Sequence, residues 1–124
     1  MSSLSSQVRD FRHAFGLHVA LTPNLAPQAA LELHHELITE EVGELADAII
    51  ERDPAEVLDA LGDIVYLAYG AAADCGYDLD EALQRIHAVN MAKLRDGVVN
   101  RRADGKVLKP AGWTPPRLDD LVRP

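Results

Sequence analysis

The stretch "EVLDALGDIVYLAYG", Glu56–Gly70, decides the fold. From Val57 to Ala73 its only charged residues are Asp59 and Asp63, one helical turn apart. At about 100° per residue they share a face, and Tyr66 and Gly70 continue that line. Nearly all the remaining circumference is apolar or alanine, which predicts a helix surrounded by protein. A buried carboxylate without a partner costs several kcal/mol. The helix carries no lysine or arginine to supply one. Either the aspartates line an exposed strip, or they converge with other acids around divalent cations.

Working outward, "DPAE" supplies the start of this helix: Asp53 as N-cap, Pro54 at the first position and Glu56 completing a capping box. Gly76 is placed to stop it just after Asp74. Before it, the pattern predicts a long helix from about Gln28 to Arg52, preceded by a turn at "LTPNLAP". Leu4, Val8, Phe11 and Phe15 space a shorter amphipathic helix over residues 2–15. After it, Asp78 and Glu81 open a fourth helix expected to end at Gly97. The expected division is a helical domain over residues 1–97 and a C-terminal arm over 98–124. In the arm, Asp104-Gly105 signals a small hairpin, and "PAGWTPPRL" is too proline-rich for regular structure, with Trp113 as its packing anchor. The fold class is all-α, a four-helix bundle with an irregular arm. A third helix that is apolar nearly all round also asks for a partner surface, so a homodimer or homotetramer is expected.

The second helix contains "ITEEVGEL", Ile38–Leu45. Leu31, Ile38, Val42, Leu45 and Ile49 form its apolar stripe, with Glu36, Glu40, Glu44 and Asp47 roughly opposite. Glu36 and Asp47 read as solvated. Glu41 lies between the two faces, beside His34, Leu37 and Ala48, and Glu44 borders the same region. Oxygen-only ligands favour a hard ion, Mg²⁺ or else Mn²⁺, which meets its substrate through phosphates. Four or five carboxylates suffice to clamp a phosphate ester and activate a water.

Bulk composition narrows the class. A net charge of −8 argues against a nucleic-acid partner, which demands clustered Lys and Arg. No apolar run reaches membrane-spanning length, no signal peptide opens the chain, and the lone Cys75 suits a reducing compartment. The expectation is a cytoplasmic protein with neither membrane nor nucleic acid as partner.

These residues resemble the MazG-like all-α nucleoside triphosphate pyrophosphohydrolases, whose signature is E-x-x-E on one helix and E-x-x-D on the next. "EEVGEL" matches the first half, with Glu41 and Glu44 as the pair and Glu40 as an extra upstream acid. "GDIVYLAYG" resembles the second, placing Asp63 as the signature aspartate. Ala60 stands where the second-helix glutamate belongs, and Asp59 is the substitute on the same face. Glu56 with Asp59 spells an alternative register. The resemblance implies Mg²⁺ held by Glu41, Glu44, Asp59 and Asp63, with Glu40 as a further ligand or as the base that activates water. It also implies cleavage of a nucleoside triphosphate to monophosphate and pyrophosphate. "HAVNMAKL" is similar to the segment that contacts nucleotide, which makes Asn90 and Lys93 substrate-binding candidates. Tyr66 and, from the arm, Lys106 and Lys109 are further candidates.

Two other classes compete. A di-iron carboxylate bundle needs Glu-x-x-His twice, and only Glu32-x-x-His35 is present, facing away from Glu40–Glu44. A non-enzymatic oligomerisation module would leave the acidic strip merely solvated. The histidines His13, His18 and His34 read as scattered packing or surface residues.

Overall fold

A computed structural model describes residues 3–124. Among these the chain forms four α-helices, α1 (Leu4–Ala14), α2 (Gln28–Glu51), α3 (Pro54–Cys75) and α4 (Leu79–Met91), and a short 3-10 turn at Asp119–Leu121. The described residues contain no strand, and the fold is all-α as the patterning requires. The expected first helix began at Ser2, which lies outside the described residues. Ser3 caps α1 by accepting the Ser6 N–H at 3.1 Å.

The two long helices run antiparallel across a tight turn. Asp53 caps α3 by accepting the Glu56 N–H at 3.2 Å. The reciprocal half of the expected capping box does not form, because the Asp53 N–H is already held by the Ala48 carbonyl at 3.1 Å. Arg52 makes the reversal in the left-handed region, at φ 58°.

At its other end, α3 stops on Gly76 at φ 69°. The terminal carbonyls, which no helix can satisfy internally, are met by the α1–α2 loop. The Ala20 N–H donates to Ala73 O at 3.0 Å and the Asn24 N–H to Cys75 O at 2.8 Å. The buried Cys75 sulfur accepts the Ala26 N–H. This lashing fixes the loop, and with it His18, over the end of α3.

Helix α4 is tied to α3 through Tyr69, whose hydroxyl donates to Asp80 at 2.6 Å. It ends at Met91 rather than at Gly97. The indole N–H of Trp113 takes the Val89 carbonyl, the acceptor that a continuing helix would offer to Lys93. The Lys93 N–H turns back to Asn90 O instead. Gly97 serves a different purpose. Asp96 and Gly97 both have positive φ, 51° and 73°, and Arg95 and Val98 exchange backbone hydrogen bonds around them. That is the two-residue turn that an Asp-Gly pair favours. The expected Asp104-Gly105 hairpin is reduced to one bridge, between Arg101 and Val107.

The core within one chain is thin. Its buried apolar residues are mostly small: Ala26, Ala48, Ala60, Ala73 and Cys75, with Val8 and Tyr69. The accessible surface is 8885 Å², against roughly 6,500 Å² for a compact monomer of this mass. Within one chain the α3 residues Leu58, Leu61 and Val65 are open, Leu58 at 72% exposure. They recur at the spacing of one helix face. Val42, Ile49 and Ile50 of α2 are open as well.

Candidate metal centre

The register of α2 against α3 brings Glu41, Glu44 and Asp63 together. One carboxylate oxygen from each lies within 4.8 Å of the others. The two glutamates are three apart on α2 and therefore neighbours on its surface. Asp63 arrives from the facing helix. Glu41 sits deepest, and its Oε2 is the one buried side-chain polar atom among the described residues with no hydrogen-bond partner. A hydrogen-bonding contact with the Glu44 carboxyl, partial burial, and the charges of Glu44, Asp63 and Asp59 push the Glu41 carboxyl up to about 7. Crowded anions of this kind relieve one another by holding a proton or by holding a cation.

An orphaned buried oxygen inside a triangle of carboxylates is the arrangement that fits a divalent ion. The donor set is all oxygen, which suits Mg²⁺ or Mn²⁺ better than a softer metal. Glu41, Glu44 and Asp63 are the residues that would hold it.

The other sequence candidates fall in two groups. Asp59 stands outside the 4.8 Å triangle, yet its charge acts on Glu41. Glu40 is exposed on α2 and is not part of the triangle. Glu56 is exposed in the first turn of α3, and it does not figure among the charges acting on Glu41. Tyr66 packs edge-on against Phe11, with ring centroids 5.6 Å apart. Asn90, Lys93 and Lys106 form a separate group at the end of α4 and in the arm. Lys93 and Lys109 both lie over Trp113, 5.3 and 5.0 Å from its ring centroid. Lys106 is exposed beside Asp104, which accepts its backbone N–H at 3.2 Å. Among the described residues, no hydrogen bond or ion pair within the chain joins these three to the acidic triangle.

A second constellation was not anticipated. Asp74, only 5% exposed, is held by His34 Nε2 at 2.7 Å and His18 Nδ1 at 2.8 Å. Arg12 stands 3.7 Å from the same carboxylate. Burial raises the Asp74 pKa, but the two histidine hydrogen bonds and the Arg12 charge outweigh it and hold the carboxyl below its ordinary value. The carboxylate is therefore ionised and accepts from both rings. The expectation that His18 and His34 are scattered is corrected: His18 stands in the α1–α2 loop and His34 on α2, and the fold closes both on one acid. A signal existed in the helix period. Asp74 is three turns on from Asp63, on the line already marked by Asp59, Asp63, Tyr66 and Gly70.

An all-α chain whose paired helices bring carboxylates of an E-x-x-E motif against an aspartate is of the MazG-like kind. More narrowly, the chain belongs to the phosphoribosyl-ATP pyrophosphohydrolase family, whose model matches residues 8–90. That family lies within the MazG-like all-α superfamily. The match runs from the middle of α1 through α2 and α3 into α4, and so contains both acid-bearing helices. An uncharacterized protein of Acanthamoeba polyphaga mimivirus is 50% identical over 50 residues, which are 40% of this chain and 20% of that protein. The chain thus spans far less than two thirds of that relative's length. None of the described helices is long and apolar enough to cross a membrane.

Proposed function

We propose that the protein is a metal-dependent nucleotide pyrophosphohydrolase that cleaves the α–β phosphoanhydride of a nucleoside triphosphate. Water adds across that bond, giving the nucleoside monophosphate and pyrophosphate. The observation that carries the reading is the carboxylate triangle whose deepest member, Glu41, has a buried oxygen without a partner. Membership of a pyrophosphohydrolase family supports it. Phosphoribosyl-ATP, the compound in the family's description, is itself a nucleoside triphosphate derivative, so the bond type is the same.

A divalent ion bound there supplies positive charge to the phosphate oxygens as negative charge develops on them. Glu41, Glu44 and Asp63 would hold that ion, with Asp59 as the fourth acid, preferred over Glu56 because its charge reaches Glu41. Glu40, adjacent in sequence and free in solvent, is the base that accepts the proton of the attacking water. Asn90, Lys93 and Lys106 contact the substrate, with the C-terminal arm reaching the site of a neighbouring subunit. That assignment goes with a homodimer or homotetramer in which Leu58, Leu61 and Val65 are covered. We also take residues 1–97 as the hydrolase domain and 98–124 as its arm, in a cytoplasmic enzyme of the nucleotide pool.

The test is pyrophosphate release from a panel of ordinary and modified nucleoside triphosphates, with phosphoribosyl-ATP included, in Mg²⁺ or Mn²⁺. Release from none of them sinks the reading. On a substrate that is cleaved, Asp59→Asn should abolish turnover while Glu56→Gln leaves it near normal, and the reverse result reassigns the fourth acid.

A further inference from the structure

A cavity of about 480 Å³ lies where α1, α2 and α3 meet, within the size range of small-molecule sites. Its apolar walls include Phe11 of α1, Leu37 of α2 and Tyr66 of α3, and at one end stand Arg12, His34 and Asp74. Leu37 is one turn before Glu41 on α2, and Tyr66 is one turn beyond Asp63 on α3. The cavity therefore begins a turn away from the acidic triangle. Asp74, at its other end, lies roughly 16 Å along α3 from Asp63. That span suits a nucleoside whose phosphates reach the triangle.

Packing alone is a poor account of this end of the molecule. A carboxylate in the last turn of a helix faces the negative end of the helix dipole, and burying it adds a desolvation cost. Asp74 bears both, and three side chains from α1, the following loop and α2 are committed to it. The consequence for His34 is specific. Its Nε2 faces the ionised Asp74 and donates to it, so the neutral ring presents its other nitrogen, Nδ1, as an acceptor. Among the described residues Nδ1 has no hydrogen-bond partner.

We propose that this cavity receives the heterocyclic base of the nucleotide, and that His34, oriented by Asp74, accepts a hydrogen bond at Nδ1 from an amino or ring N–H on its edge. Phe11 and Tyr66 offer the aromatic surface on which a base packs whatever its identity. Asp74 is a positioning residue: it fixes which ring nitrogen of His34 faces the ligand. The inference rests on the pyrophosphohydrolase reading for the phosphate end of the ligand.

The experiment uses the full chain, labelled with ¹⁵N at histidine, and adds adenosine, cytidine, guanosine or uridine 5′-monophosphate in Mg²⁺. Ribose 5-phosphate is the control without a base. Two-bond ¹H–¹⁵N spectra report the imidazole tautomers. The free protein should show His34 with its proton on Nε2. At least one nucleotide should move the His34 Nδ1 resonance and the Phe11 and Tyr66 ring signals, and ribose 5-phosphate should move none of them. His34→Gln keeps a donor to Asp74 but loses the ring acceptor. It should weaken that nucleotide's binding about tenfold and leave ribose 5-phosphate binding unchanged. Asp74→Asn should release the tautomer of His34 and flatten the preference among bases.

The inference is overturned if no nucleotide moves these signals, or if His34→Gln binds every base as the parent does. Cross-subunit contacts to Phe11 and Tyr66, with no response to nucleotide, would show a second chain filling the cavity and also overturn it. Failure of the pyrophosphohydrolase reading looks different: base binding persists while no triphosphate is cleaved.

Discussion

At the scale of the residue, Glu41 stands out because one of its buried carboxylate oxygens has no hydrogen-bond partner. Its carboxyl is pushed up to about 7 by its contact with Glu44, by partial burial and by the surrounding charges. A cation bound there would have to displace the proton. Mg²⁺ or Mn²⁺ affinity should therefore fall as pH drops below about 7 and level off above it. Titration calorimetry in buffers of different ionisation enthalpy measures the proton released; none released at pH 6 would contradict the coupling. Asp74 shows the opposite behaviour. Its folded pKa lies below the unfolded one, so its stabilising contribution is complete above the unfolded value. That contribution is lost as pH falls through the folded value. Thermal melts should show the parent losing more stability than Asp74→Asn between pH 5 and pH 3, and parallel losses would refute the linkage. Glu41, Glu44 and Asp63 were legible in the sequence because motif spacing encodes neighbours on one helix and the next. The grouping of His18, His34 and Asp74 was not. Local periodicity does not say which loop folds over which helix end.

At the scale of the element, the ends of the helices hold the design. The caps at Asp53 and Asp78 and the stop at Gly76 were legible, since each is a local hydrogen-bonding choice made within four residues. The end of α4 was not, because Trp113, far along the chain, takes the carbonyl that would have prolonged it. An Asp-Gly pair was then free to turn the backbone rather than to stop a helix. Gly76 is the most demanding of these positions. A Cβ there would meet Thr22 O at 2.5 Å and Thr22 C at 2.8 Å, on a backbone at φ 69°. Both atoms belong to the loop that satisfies the α3 carbonyls, and they cannot swing away as a side chain does. Gly76→Ala should cost about 2–4 kcal/mol, combining left-handed strain with the clash. Urea unfolding measures it, and a change below about 0.5 kcal/mol would mean the loop is not seated as described.

At the scale of the whole molecule, the decisive quantity is surface. One chain exposes 8885 Å², about a third more than a compact monomer of its size. The stripe Leu58, Leu61 and Val65 accounts for part of the excess. Helix periodicity announced α3 as a fully covered helix, and one chain covers only part of it. Sedimentation should find a dimer or tetramer, and Leu58→Glu should shift it toward monomer, whereas a monomeric parent would remove the case for a shared site. One assay reaches the acidic triangle. Pyrophosphate release is followed in excess Mg²⁺ from the parent and from Glu41→Gln, on any triphosphate the parent accepts. Glu41→Gln keeps the shape and removes the charge, so turnover should fall at least about a hundredfold. A Glu41→Gln protein that releases pyrophosphate as fast as the parent would contradict the proposed metal site.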